Sequence, residues 1–156
     1  MYCRDHCTVT LLSPTGDLQA VVGYAMAEGD LSLSPDTGLR DGQTVQVTGR
    51  DLMSTYHGPT LLVFPTGGWV ISQCDRAILD QPSLFGFFTH CVVLGTRAVT
   101  IDGSTLDTTW DVQATITKIL GGTTDCTASP GACVVGLARF EQDASLSTHF
   151  VPVGFG

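Results

Sequence analysis

Asp125-Cys126-Thr127-Ala128-Ser129-Pro130-Gly131-Ala132-Cys133-Val134-Val135-Gly136-Leu137-Ala138-Arg139-Phe140 is the stretch that decides the fold. Two cysteines bracket a turn built on Ser129, Pro130 and Gly131, and an apolar run follows at once. Turn chemistry running into a β-branched apolar run reads as a loop entering a strand. The other four cysteines also fall in close pairs, Cys3 with Cys7 and Cys74 with Cys91. Six cysteines without metal-type spacing read as disulfides of an oxidising compartment. Six admit as many as fifteen pairings, of which nearest-neighbour pairing is the cheapest because each bond closes a short loop. On the chain-entropy argument the Cys74–Cys91 loop alone contributes roughly 3 kcal/mol.

The rest of the composition agrees with short strands. The chain has 156 residues, of which 43% are hydrophobic and only 14% charged, with 18 glycines. Lys118 is its one lysine, and asparagine is absent, so there is no N-glycosylation acceptor. The formal net charge is −8, and the arginines are scattered from Arg4 to Arg139. Nucleic-acid backbones and anionic membrane surfaces are therefore disfavoured partners. The longest apolar run, Thr60 to Ile71, is broken by Pro65, Gly67 and Gly68 and is too short to span a bilayer.

Sliding the chain 126 residues along itself places Cys7 on Cys133, Val9 on Val135, Leu11 on Leu137 and Asp17 on Asp143. The register expects residues 1–27 to be the terminal hairpin of a truncated preceding repeat, or an N-terminal extension, ahead of a complete domain over 30–156. Met1 to His6 offers no apolar leader. A start inside a tandem secreted protein reconciles that with the disulfides.

Alternating runs predict strands at Leu31–Ser34 and Thr44–Thr48. Thr60–Phe64 and Trp69–Gln73 are expected to form one hairpin around Pro65 to Gly68. Arg97–Ile101 and Thr108–Thr117 are expected to form another around Asp102-Gly103, and Cys133–Phe140 and His149–Val153 a third. No stretch carries a helical face longer than two turns. The fold class is all-β: an immunoglobulin-like, seven-stranded antiparallel sandwich or barrel with short-loop disulfides and an extra N-terminal hairpin.

Residues 33–155 resemble the neocarzinostatin family of apoproteins, secreted actinomycete sandwiches that carry an enediyne chromophore. The resemblance rests on Ser34-Pro35-Asp36-Thr37-Gly38-Leu39-Arg40-Asp41-Gly42, Thr44 to Gly49, Gln73-Cys74, Asp125-Cys126, Cys133 to Leu137 and Val151-Pro152-Val153-Gly154-Phe155. It implies disulfides Cys74–Cys91 and Cys126–Cys133, a smaller β-ribbon lobe, and a ligand cleft floored by the first of these bonds. Two departures fall in the cleft. Polar residues that follow the family's last cysteine are replaced by Val134 and Ala138. The ribbon tip shrinks to Lys118-Ile119-Leu120-Gly121-Gly122-Thr123, while the Cys74–Cys91 loop gains Leu84-Phe85-Gly86-Phe87-Phe88.

The candidate site is Cys74, Cys91, Val134, Gly136 and Ala138, where the resemblance implies the cleft, together with Phe85, Phe87 and Phe88 of the longer loop. The three phenylalanines could wall an apolar pocket, offer a patch to a partner protein, or plug the core. Catalysis has little to work with. His6, His57, His90 and His149 lie in no recognised catalytic motif, and Cys91 beside His90 has no thiolate to offer if it is disulfide-bonded. Cys3, His6 and Cys7 lack a nearby fourth zinc ligand, so no metal is expected. Neither cofactor nor enzyme activity is expected. The expected function is a non-enzymatic secreted binding protein that sequesters an apolar small molecule, enediyne-like in the family. The alternative is a tandem-repeat extracellular interaction or adhesive module, associating through its N-terminal hairpin.

Overall fold

A computed structural model describes residues 6–12, 18–25, 29–53, 60–61, 64–65, 67–101, 103–141 and 146–156; of 6–12, 18–25, 60–61 and 64–65 it describes the backbone alone. Strands β1 (His6–Leu12) and β2 (Leu18–Ala25) pair as an antiparallel hairpin with Cys7 opposite Tyr24. The remaining strands are β3 (Asp30–Ser34), β4 (Thr44–Arg50), β5 (Thr60–Leu61), β6 (Phe64–Pro65), β7 (Trp69–Asp75), β8 (Arg97–Val99), β9 (Leu106–Asp111), β10 (Thr115–Lys118), β11 (Gly122–Asp125), β12 (Cys133–Phe140) and β13 (Leu146–Val153). A short 3₁₀ turn (Arg76–Leu79) and one helix, α1 (Leu84–His90), lie between β7 and β8.

Two sheets make the body. One has the order β13-β12-β7-β8, the other β3-β4-β9, and every ladder is antiparallel. The seven strands of the expected sandwich are thus present. β4 alternates strictly, with Val45 and Val47 inward and Thr44, Gln46 and Thr48 outward, as a sheet with one wet face requires. Its inward side chains meet Ile71, Trp110, Val135 and Leu137 in the main core. The barrel closes on both flanks. Leu39 bridges to Phe155 on one side, and on the other Arg97 reaches from β8 to donate to Thr108 Oγ1 and the Thr109 carbonyl of β9.

Two expected hairpins are corrected. β5 pairs with β6, whereas Trp69 and its neighbours in β7 pair with β8 and β12 at the sheet centre. A strand apolar on both faces is better buried between two strands than hung at an edge. Likewise β8 and β9, expected to pair around Asp102-Gly103, join different sheets. The third hairpin, β12–β13, forms with Phe140 opposite Leu146. The ribbon forms as β10–β11.

The Cys74–Cys91 and Cys126–Cys133 bonds are both formed, with S–S distances of 2.05 and 2.01 Å. The Cys3–Cys7 expectation rests on side chains outside the described residues, as does the zinc alternative at His6. Gln73, fully buried, ties the sheets together. Its Nε2 donates to the Gln113 carbonyl at 2.7 Å, and its Oε1 accepts from the Gln113 N–H at 2.9 Å. Gln113 follows β9, so one amide side chain replaces backbone pairing across the sandwich. Gln73→Leu keeps the volume and orphans both Gln113 groups. It should lower stability by about 1–3 kcal/mol in urea denaturation, with an unchanged m-value.

Candidate functional site

All eight residues of β12 are buried. A strand can bury both faces only if both are covered, and the alternation divides its side chains. Cys133, Val135 and Leu137 enter the main core. Val134, Ala138 and Phe140 point out of the sandwich, and there they join a second apolar cluster with Val70, Cys74, Ile78, Phe87, Cys91 and Leu146. That outer face is the floor of the candidate site. Gly136 leaves it flat: a Cβ there would lie 2.7 Å from the Phe150 ring, which packs at the margin of the cluster.

The loop closed by Cys74–Cys91 supplies the cover. Ser83 caps α1 by accepting the Gly86 N–H at 3.0 Å. A residue larger than glycine at position 86 would put its Cβ 2.0 Å from the Gln81 carbonyl, so the chain can double back here only over glycine. Phe87 is wholly buried and meets Phe140 edge-on at 5.3 Å. Phe88 is half-buried, 6.4 Å from Phe87. Phe85 is 67% exposed and faces away from the cluster.

The structure therefore brings six predicted residues to one place: Cys91 and Phe87 over a floor of Cys74, Val134 and Ala138, with Gly136 between the last two. It leaves Phe88 at the rim and Phe85 outside. Sequence reasoning missed Val70, Ile78, Phe140 and Leu146. Phe140 was open to it, since it continues the spacing of Val134, Gly136 and Ala138.

It also missed a charged hub at the edge of the floor. Asp75, the last residue of β7, accepts from Lys118 Nζ of the ribbon through Oδ2 at 2.5 Å. Its Oδ1 caps the 3₁₀ turn, accepting the Ala77 N–H at 3.0 Å, and lies 2.9 Å from His90 Nδ1 at the end of α1. The histidine contact is close but is not a well-aligned hydrogen bond. Lys118 also donates to Thr124 at 2.8 Å, and is itself buried. Burial pushes the Asp75 carboxyl up, but the hydrogen bond from Lys118 and the proximity of His90 outweigh this and hold it below the ordinary carboxylate range. One carboxylate thus joins floor, cover and ribbon. The ribbon tip completes the closure. Leu120 N–H donates to the Phe88 carbonyl at 3.3 Å, and a Cβ on Gly121 would sit 1.9 Å from the Thr89 carbonyl. Among the described residues no cluster of metal-ligating side chains is present.

No protein-family profile matches the sequence, and no curated protein matches it. Solved structures do. Macromomycin matches with a TM-score of 0.55 at 19% identity, over 82% of this chain and 99% of its own. The solution structure of apokedarcidin matches with a TM-score of 0.52 at 22% identity, over 83% of this chain and 100% of its own. Both are of the neocarzinostatin family. The chain has the neocarzinostatin-type β-sandwich fold that its sequence resembles.

Phe87→Ala should cost about 3–5 kcal/mol in chemical denaturation, because it opens a cavity beneath α1. Phe85→Ala should change stability by no more than about 0.5 kcal/mol. Equal costs would place α1 differently from the arrangement described.

Proposed function

We propose that this protein is a non-enzymatic, secreted binding protein that sequesters an apolar small molecule against the outer face of the β13-β12-β7-β8 sheet, beneath α1. One observation carries the reading. The outer face has an apolar cluster of its own, separate from the sandwich core and roofed by a two-turn helix rather than by a third sheet. Such a cluster can admit a guest without opening the barrel. The fold shared with macromomycin and apokedarcidin supports it, as does the bonding of four cysteines, which suits an oxidising compartment. The acidic net charge fits a protein that keeps an apolar cargo in solution and does not itself dock on nucleic acid.

A second reading has its own support. Phe85, Leu120 and Ile119 are 67%, 61% and 52% exposed, on α1 and at the ribbon tip that touches it. Large apolar side chains exposed on adjoining elements favour a protein partner.

Native mass spectrometry of the protein from its own source separates the two. The carrier reading expects a non-covalent mass that leaves on denaturation while the disulfides stay intact. A protein that arrives without any adduct, and takes up no hydrophobic dye at neutral pH, overturns the carrier reading in favour of the exposed patch.

A further inference from the structure

Of the α1 side chains only Phe87 is fully buried, and Gly86 beside it brings no side chain. At its C-terminal end α1 is tied by Cys91 to Cys74, a bond that fixes one end of the helix and leaves the other to the exposed link Asp80-Gln81-Pro82. The remaining fastening is polar and runs through the ribbon: His90 reaches the Asp75 carboxylate, the same carboxylate holds Lys118 of the ribbon, and the ribbon tip donates from Leu120 N–H to the Phe88 carbonyl. We propose that α1 is a hinged lid over the outer sheet face, pivoting at the Cys74–Cys91 bond and released when Asp75 loses its charge. As a gate on cargo this rests on the carrier reading; as a moving part it stands by itself.

The charges around the latch set the sign of its pH response. Asp75 is faced by His90 from α1, by Lys118 and the Thr124 hydroxyl from the ribbon, and by the Ala77 N–H from the 3₁₀ turn. Arg76, its chain neighbour, lies exposed with its guanidinium near Gly131. Every charged group in this set is or can become cationic. Neutralising the carboxylate leaves the buried Lys118 without its counter-ion. A carboxyl held below its usual range contributes stability above that range and loses it as the pH falls through the depressed value. The latch is therefore closed at neutral pH and opens in acid, and a cargo taken up in neutral medium is released on acidification.

Hydrogen–deuterium exchange of the full chain reads the lid without any cargo. In the wild type, the amides of residues 84–91 should exchange on the order of tenfold faster at pH 2 than at pH 7 after correction for intrinsic rates, while 133–140 stays protected. Asp75→Asn should show the fast rate already at pH 7 and lose the pH response. If that variant does not fold, Lys118→Met removes one arm of the latch, keeps the apolar stem, and should give an intermediate rate. Exchange of 84–91 in step with 133–140 at both pH values overturns the proposal, as does an Asp75→Asn protein with wild-type rates. A lid that opens on schedule in a protein that never carries an adduct retires the carrier reading and leaves the lid standing.

Discussion

A strand buried over its whole length has two faces to hide, and β12 sets this requirement for the molecule. The inner face is met by the three-stranded sheet. The outer one exposes Val134, Ala138 and Phe140 on a central strand, and leaving them wet would forfeit roughly 1.5–3 kcal/mol for each large side chain. A two-turn helix is marginal on its own in water, so α1 forms because it has this face to cover and a disulfide to hold it there. Helix and floor depend on each other.

The polar groups at the margin follow from the same packing. Covering the sheet brings β7, α1 and the ribbon together at Asp75, where three backbones end near one point. Water is scarce there, and a lone buried lysine would be costly. Asp75 meets Lys118 and His90 at once, which makes the convergence tolerable and gives it a sign. Away from that point the fold uses the Gln73 amide across the sandwich, the Arg97 guanidinium on neutral acceptors of β9, and an Arg139–Glu141 ion pair at 2.7 Å.

Much of this was legible in the residues. Alternation in Thr44 to Thr48, the short cysteine spacings and the Pro/Gly turns pointed to a seven-stranded sandwich, because each is a local signal. Strand partners were less legible. Trp69 to Gln73 looked like half of a hairpin, since a Pro-Thr-Gly-Gly turn precedes it, yet its partners β8 and β12 are set by burial on both faces. The site was half legible for a similar reason. Period-two spacing put Val134, Gly136 and Ala138 on one face, but no local pattern says that Phe87 turns in while Phe85 turns out. The Asp75 hub was not legible at all. Its members lie 15 and 43 residues apart in sequence and meet only in the folded chain. The chain's one lysine, buried, was the nearest thing to a signal.

The claim on which the account turns is that Asp75 and Lys118 hold the ribbon and the covered face together. A double-mutant cycle in urea, with Asp75→Asn, Lys118→Met and the two combined, measures that directly. A closed latch predicts a coupling of about 1 kcal/mol or more at neutral pH, falling toward zero in acid. A coupling near zero at neutral pH would mean the two side chains do not meet in solution, and would contradict the covered face described here.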